Sequence, residues 1–135
     1  MLPPSNYQGS AKNLERVTDY LSKIRQRLMH VKIENRDYAY ILKTYDRPGA
    51  LFYLDPPYHG TEKYYDTPFS DDTHRHLNSI LKQLKGSFIL SYNNDDFIRN
   101  LYKGFNIEAV SRSSNLTSRY PELKRKYQEL IIRNF

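Results

Sequence analysis

The chain contains no cysteine in its 135 residues. Disulfides, thiolate metal sites and a cysteine nucleophile are therefore all excluded. No apolar run approaches the roughly 18 residues that a membrane-spanning helix needs, and the opening MLPPSNYQGS lacks the basic-then-apolar pattern of a secretory signal. A cytoplasmic location is the expectation. Glycine is scarce: Gly9, Gly49, Gly60, Gly86 and Gly104 stand far apart, so no glycine-rich loop can be built from them. There is no internal repeat and no low-complexity segment. The four histidines give no metal constellation, because His74 and His76 point in different directions on a helix while His30 and His59 lie elsewhere. No metal is expected, and no Ser-His-Asp arrangement stands out.

What the chain does have is aromatic residues and positive charge. Thirteen Tyr and six Phe in a sequence of this length fit a folded domain with a real core rather than a disordered segment. The length predicts one domain. A net charge of +6 permits a polyanionic partner such as DNA or RNA, although charge by itself does not select one.

Hydrophobic spacing gives the elements. Leu14, Val17, Leu21, Ile24 and Leu28 recur at intervals of three and four, which predicts an amphipathic helix over 11–28. HVKIEN reads as a short strand ending near Glu34 or Asn35. RDYAYILKTY reads as a helix stopped by Pro48 and Gly49. ALFYLD is almost wholly apolar, the pattern of a strand covered on both faces of a parallel sheet. Ser70 or Asp71 can cap the next helix, with Leu77, Ile80, Leu81 and Leu84 on one face. GSFILSY is another buried-type strand, NNDDFIRNLYKG a short helix, and FNIEAVSR and YQELIIRNF two further strands. Strands alternating with helices predict an α/β fold with a mainly parallel, Rossmann-like sheet, closed at its edge by a C-terminal antiparallel hairpin.

The chemistry concentrates at LFYLDPPYHG. Ligands of open α/β sheets sit beyond the carboxyl ends of strands, and Asp55-Pro56-Pro57-Tyr58 follows directly on the most apolar strand. Two prolines hold the turn nearly rigid. The Pro56 carbonyl and the Asp55 carboxylate are fixed acceptors, and Tyr58 offers a flat face, which together suit an amino group on a planar ring. The competing reading is a rigid turn whose Tyr58 plugs a gap in the core. In IENRD, a carboxylate or amide can accept from a cofactor, with Asp37 the best placed, or Asn35 or Asp37 can simply cap the next helix. Tyr64, Tyr65 and Phe69 either line a pocket or anchor a long loop. Arg112, Arg119, Lys124, Arg125 and Lys126 either meet phosphates or form a solvated face. Ser91, Tyr92, Asn93 and Asn94 share the same rim, with no role assigned.

FYLDPPY resembles the catalytic signature of the S-adenosylmethionine-dependent amino-methyltransferases, and most closely that of the Dam-type DNA adenine-N6 methyltransferases. The surrounding order of strand, acidic turn, helix and catalytic strand in RLMHVKIENRDYAYILKTYDRPGALFYLDPPY is similar to that family, as are HLNSILKQLKGSFILSYNND and KRKYQELIIRNF. The resemblance covers residues 13–135. It implies methyl transfer from S-adenosylmethionine to the N6 amino group of an adenine flipped out of double-stranded DNA, with restriction-modification as the setting. Asp55, Pro56, Pro57 and Tyr58 would be catalytic. Glu34, Asn35, Asp37, Tyr38 and Asp55 would hold the cofactor. Tyr58, Tyr64, Tyr65, Phe69, Arg112, Arg119 and Lys124 to Lys126 would meet the base or the DNA.

Members of that family carry a glycine-rich cofactor loop after their first strand, followed by a target-recognition region. Neither is legible here. The expectation is that residues 1–28 are the trailing edge of a recognition region with its exit helix, and residues 29–135 the carboxyl-terminal half of a catalytic domain. Such a piece, whether a truncated gene product, a fragment or one part of a split enzyme, is expected to bind cofactor weakly or not at all and to be inactive by itself. In the split case the missing half would act in trans, and an exposed sheet edge would allow self-association. Two further readings remain: a non-catalytic remnant or basic nucleic-acid-binding module, and an amino-methyltransferase acting on RNA or protein.

Overall fold

The computed structural model describes residues 8–61, 69–113 and 126–135. Where the length predicts one domain, the chain divides into two compact units, residues 1–35 and residues 36–135.

The first unit is built on helix α1, Gln8–Leu28. Arg25 and Arg27 in its last turn complement the negative end of the helix dipole. The predicted stripe is real, and Val17, Leu21, Ile24 and Leu28 are all exposed. The strand expected at HVKIEN does not form. Residues 31–37 have no regular structure, and Ile33 is 80% exposed. Alternating Val31 and Ile33 have strand propensity, but a strand needs a partner, and this unit contains no second one among its described residues.

In the second unit, Asp37 caps helix α2, Tyr38–Tyr45, by accepting from the Ala39 amide at 2.8 Å. Strand β1, Leu51–Leu54, follows, then α3, Asp71–Leu81, capped by Ser70. Strand β2, Ser87–Asn93, leads to α4, Asp96–Leu101, capped by Asp95. Strands β3, Asn106–Ser113, and β4, Lys126–Arg133, complete the sheet. The order is β1-β2-β4-β3. Only β1 and β2 are parallel, and β4 runs antiparallel to both β2 and β3. The expected hairpin is present, but it does not merely close an edge. Its second strand inserts between β2 and β3, so the described sheet is mixed rather than mainly parallel.

Burial divides the sheet into two faces. Phe88, Leu90 and Tyr92 of β2 join Leu130 and Ile132 of β4 on one face, where Leu42, Leu77, Leu81, Ile98 and Tyr102 from the helical side complete the core. Phe52 and Leu54 of β1 pack against this cluster. Leu51 and Tyr53 alternate to the opposite face and are 62% and 69% exposed. Among the described residues, that second face of β1 has no cover.

The lower ends of β1 and β2 are joined by one carboxylate. Asp46 accepts from the amides of Lys85 at 2.9 Å and Gly86 at 3.0 Å. Gly86 is needed there for space, since a Cβ at this position would stand 2.8 Å from the Ala50 carbonyl oxygen and 3.2 Å from that of Arg47. Asn134 continues the ladder with its side chain, accepting from the Phe88 amide and donating to the Gly86 carbonyl.

Gly86→Ala is expected to cost about 1–3 kcal/mol by urea denaturation. Gly104→Ala, where the added methyl meets open space, should stay within about 0.5 kcal/mol. A second expectation concerns Tyr102, which is fully buried. Burial pushes its hydroxyl well above the ordinary 10.0. The Tyr92 hydroxyl, close by but outside hydrogen-bonding geometry, offsets this only in part, and Tyr38 adds to the rise. The folded state thus keeps a proton that the unfolded chain releases, and stability falls as pH rises above 10.0. Tyr102→Phe should flatten that fall in stability measurements above this pH while leaving neutral-pH stability little changed.

Candidate functional site

The parallel register sets Leu54 beside Leu90, so the residues that follow, Asp55 and Ser91, meet at the carboxyl ends of neighbouring strands. The Ser91 hydroxyl donates to Asp55 Oδ1 at 2.7 Å, with the Leu54 carbonyl a more distant acceptor at 3.2 Å. Ser91 is buried, whereas Asp55 is exposed. One carboxylate oxygen is thus held from below while the side chain faces outward. Among the described residues, neither Asp55 Oδ2 nor the Pro56 carbonyl takes part in a hydrogen bond or ion pair.

The turn beyond is fastened as firmly. The Tyr58 carbonyl accepts from both the amide and the hydroxyl of Thr61, at 2.9 and 2.7 Å. Gly60 supplies the φ of +80° that this tight reversal requires. Asn93, at the end of β2, donates to the His59 carbonyl at 3.0 Å. The His59 ring stacks on Phe97 with centroids 4.4 Å apart. Its Nδ1 stands 3.0 Å from Asp95 Oδ1 and its Nε2 3.3 Å from Asp71 Oδ1. The Nδ1 approach is out of line for a hydrogen bond, so it is a close polar contact beside the Nε2 bond to Asp71. One side chain thereby links the turn to the start of α3 and to the cap of α4.

Beneath the turn lies an aromatic floor. His74 is fully buried and its Nδ1 is 2.7 Å from the Tyr92 hydroxyl. Phe69 packs edge-on to His74, with centroids 4.7 Å apart. Tyr58, half-buried, leans over Tyr92 at 6.3 Å. His76, on another side of α3, is exposed and shares a hydrogen bond of 2.9 Å with Tyr38. Burial, and secondarily the Asp37 carboxylate, push the Tyr38 hydroxyl above its ordinary value.

The sequence-based candidates therefore separate. Asp55, Pro56, Pro57 and Tyr58 form one rim. Asp37 serves as a helix cap through one oxygen, and Tyr38 packs beside Phe69. Phe69 contacts Tyr38 and His74, the arrangement of an anchor. Glu34 belongs to the first unit, where it pairs with Lys32 at 2.7 Å; Asn35 lies in that unit as well. The hairpin register carries the backbone of Arg112 and Lys126 past Asn93, the last residue of β2, and so toward the same end of the sheet as Asp55. Tyr64, Tyr65, Arg119, Lys124 and Arg125 lie outside the described residues. Ser91, Asn93 and His59 were not identified as supports from the sequence. The signal for Ser91 was its place one residue past the strand pairing, legible only once register is known.

A family model described as D12 class N6 adenine-specific DNA methyltransferase matches residues 4–116. The chain belongs to this family. Among relatives of the D12-class chain is the type II methyltransferase M.MjaIII of Methanocaldococcus jannaschii. It is 30% identical over 125 residues, covering 85% of this chain and 43% of the relative. The type II methyltransferase M.CviBI of Paramecium bursaria Chlorella virus NC1A is 31% identical over 74 residues, covering 54% of this chain and 28% of the relative. This D12-class chain thus spans less than half the length of the curated relatives it matches. No described helix is long and apolar enough to cross a membrane, and no group of three or more acidic or histidine side chains among the described residues is placed to hold a metal ion.

His59→Ala should release the turn locally. The Thr61 amide is expected to exchange with solvent roughly tenfold faster, equivalent to about 1.4 kcal/mol of lost tethering. The Gly86 amide, held by Asp46 at the other end of the sheet, should keep its rate in the same hydrogen-exchange experiment.

Proposed function

We propose that this chain carries the amino-group clamp of a DNA adenine-N6 methyltransferase, with S-adenosylmethionine as donor and an adenine swung out of the duplex as acceptor. The observation that carries this reading is the state of the Asp55 carboxylate: one oxygen is held by Ser91 at 2.7 Å, and neither the other nor the carbonyl of the next residue, Pro56, takes part in a hydrogen bond among the described residues. The adenine amino group has two hydrogens, and this rim offers two acceptors next to an aromatic face. Donation to both draws the nitrogen toward a pyramidal shape, in which its lone pair is less delocalised into the ring and more nucleophilic. As positive charge develops on that nitrogen, the fixed carboxylate stabilises it without having to reorganise. The Tyr58 ring stacks on the base and adds attraction through its π face. Base flipping costs a few kcal/mol, which this stacking helps to offset. S-adenosylmethionine would supply an electrophilic methyl group. The second oxygen of Asp37 is a fitting acceptor for that cofactor's adenine amino group, with Tyr38 packing alongside.

The test is transfer of labelled methyl to adenine-containing duplex DNA by the protein that carries this chain, with the product identified after digestion to nucleosides. Asp55→Ala is expected to lower kcat by at least about 100-fold with little change in KM for DNA. Ser91→Ala should lower kcat by about tenfold, and Ser91→Thr, which keeps the hydroxyl, should restore most of it. Full turnover by Asp55→Ala would refute the clamp. Preferential labelling of RNA or protein in competition would redirect the substrate assignment.

A further inference from the structure

Helices α3 and α4 enclose a shallow cleft of about 550 Å³ on the flank of the second unit. Three cations line it, Arg75 from α3, Lys82 at its C-cap and Lys103 from the turn after α4, together with Phe97 and Asn100. No carboxylate is part of that lining. Among the described residues, none of the three cations has a salt-bridge partner. Four acids lie nearby in sequence, Asp71 and Asp72 within one helical turn of Arg75, yet none lines the cleft. Asp71 and Asp95 face His59, while Asp72 and Asp96 sit in the first turns of α3 and α4, outside the lining. The neighbouring groove between α2 and α3 differs, because there Asp46 stands among Lys43 and Lys85.

Two features relate this cleft to the rim. The Arg75 guanidinium lies over the Phe97 ring, 5.0 Å from its centroid, and that same ring stacks on His59, the residue after Tyr58. The cleft thus begins against the turn that holds the clamp. Along α3, Arg75 and Lys82 are seven residues apart, about 10.5 Å of helix rise and two turns, hence on one face. Spaced this far apart, the two cations can meet different phosphates of one DNA strand.

We infer that the α3–α4 cleft is a track for the phosphate backbone of the DNA strand that delivers the target base, contacted by Arg75, Lys82 and Lys103. Asn100 provides a neutral hydrogen-bond donor within it, and Phe97 holds Arg75 in place through its ring face. This inference rests on the methyltransferase reading for the identity of the polyanion, but its test does not require turnover.

The measurement is affinity for a short duplex at salt concentrations from about 50 to about 200 mM. Each phosphate contact contributes about 0.9 to the slope of log K against log salt. Substituting Arg75, Lys82 and Lys103 together by Gln should lower the slope by about 2.7, and each alone by about 0.9. Lys43→Gln with Lys85→Gln, in the mixed groove, should leave the slope unchanged. All positions are exposed, and circular dichroism with urea midpoints checks that the variants fold. An unchanged slope in the triple variant would overturn the inference. So would an equal loss in the Lys43 and Lys85 variant, absence of duplex binding by the parent chain, or equal competition by polyglutamate, which would indicate an acidic protein partner. Asp55→Ala should retain the parent slope. Loss of the methyltransferase reading with the slope change intact therefore strikes only the clamp, and methyl transfer with an unchanged slope in the triple variant strikes only the track.

Discussion

The parallel pairing of β1 with β2 holds the rest of the site in place. It sets Leu54 against Leu90 and so brings Asp55 and Ser91 to adjacent strand ends. The same alignment lets Asn93 reach the carbonyl of His59. Below, the two strands are fastened through Asp46 and made to fit by the absence of a side chain at Gly86. The apolar face beneath supplies the rigidity. Phe88, Leu90 and Tyr92 are completely buried in β2, so the strand that supports the turn is the one with least freedom to move.

The Asp55 carboxylate is exposed while the serine that holds it is buried. This arrangement reconciles two opposing demands on a carboxylate that would meet a ligand, as proposed. An acid sunk in the core would carry a desolvation penalty, and an acid free on the surface would not be oriented. Here the outward carboxylate keeps contact with water, and a buried hydroxyl fixes its direction. The aromatic floor of His74, Tyr92 and Phe69 fills the space below Tyr58, which packs half-buried against the core.

Much of this was legible in the residues. Apolar spacing and a capping Ser or Asp placed α3, and breaking residues beyond their ends marked α2 and α4; the caps observed are Asp37, Ser70 and Asp95. The DPPY turn announced its rigidity through its prolines. Topology was less accessible. An apolar strand reads the same whether one face or two are covered, and Leu51 and Tyr53 turned out to be exposed. Nor does a hairpin disclose which of its strands pairs outward, so the insertion of β4 beside β2 was invisible. The supports from Ser91, Asn93 and His59 depend on register between segments more than thirty residues apart, and no local pattern encodes that. HVKIEN failed for the complementary reason: propensity without a neighbour to pair with.

β1 is only four residues long and lies at an edge of the described sheet. Such a strand has few ladder bonds to resist sliding, and because its side chains alternate, a slip of one position would exchange its faces. Phe52 and Leu54 would go to solvent, Leu51 and Tyr53 to the core, and the acid would miss its serine. The bonds at either end make that slip discontinuous: Asp46 and Gly86 fit only one alignment below, and Ser91 and Asn93 only one above. The strand is keyed at both ends like a bolt in a lock. Thermal softening of the edge would therefore tend to produce whole-strand detachment rather than a series of misaligned states, each presenting the carboxylate in the wrong place.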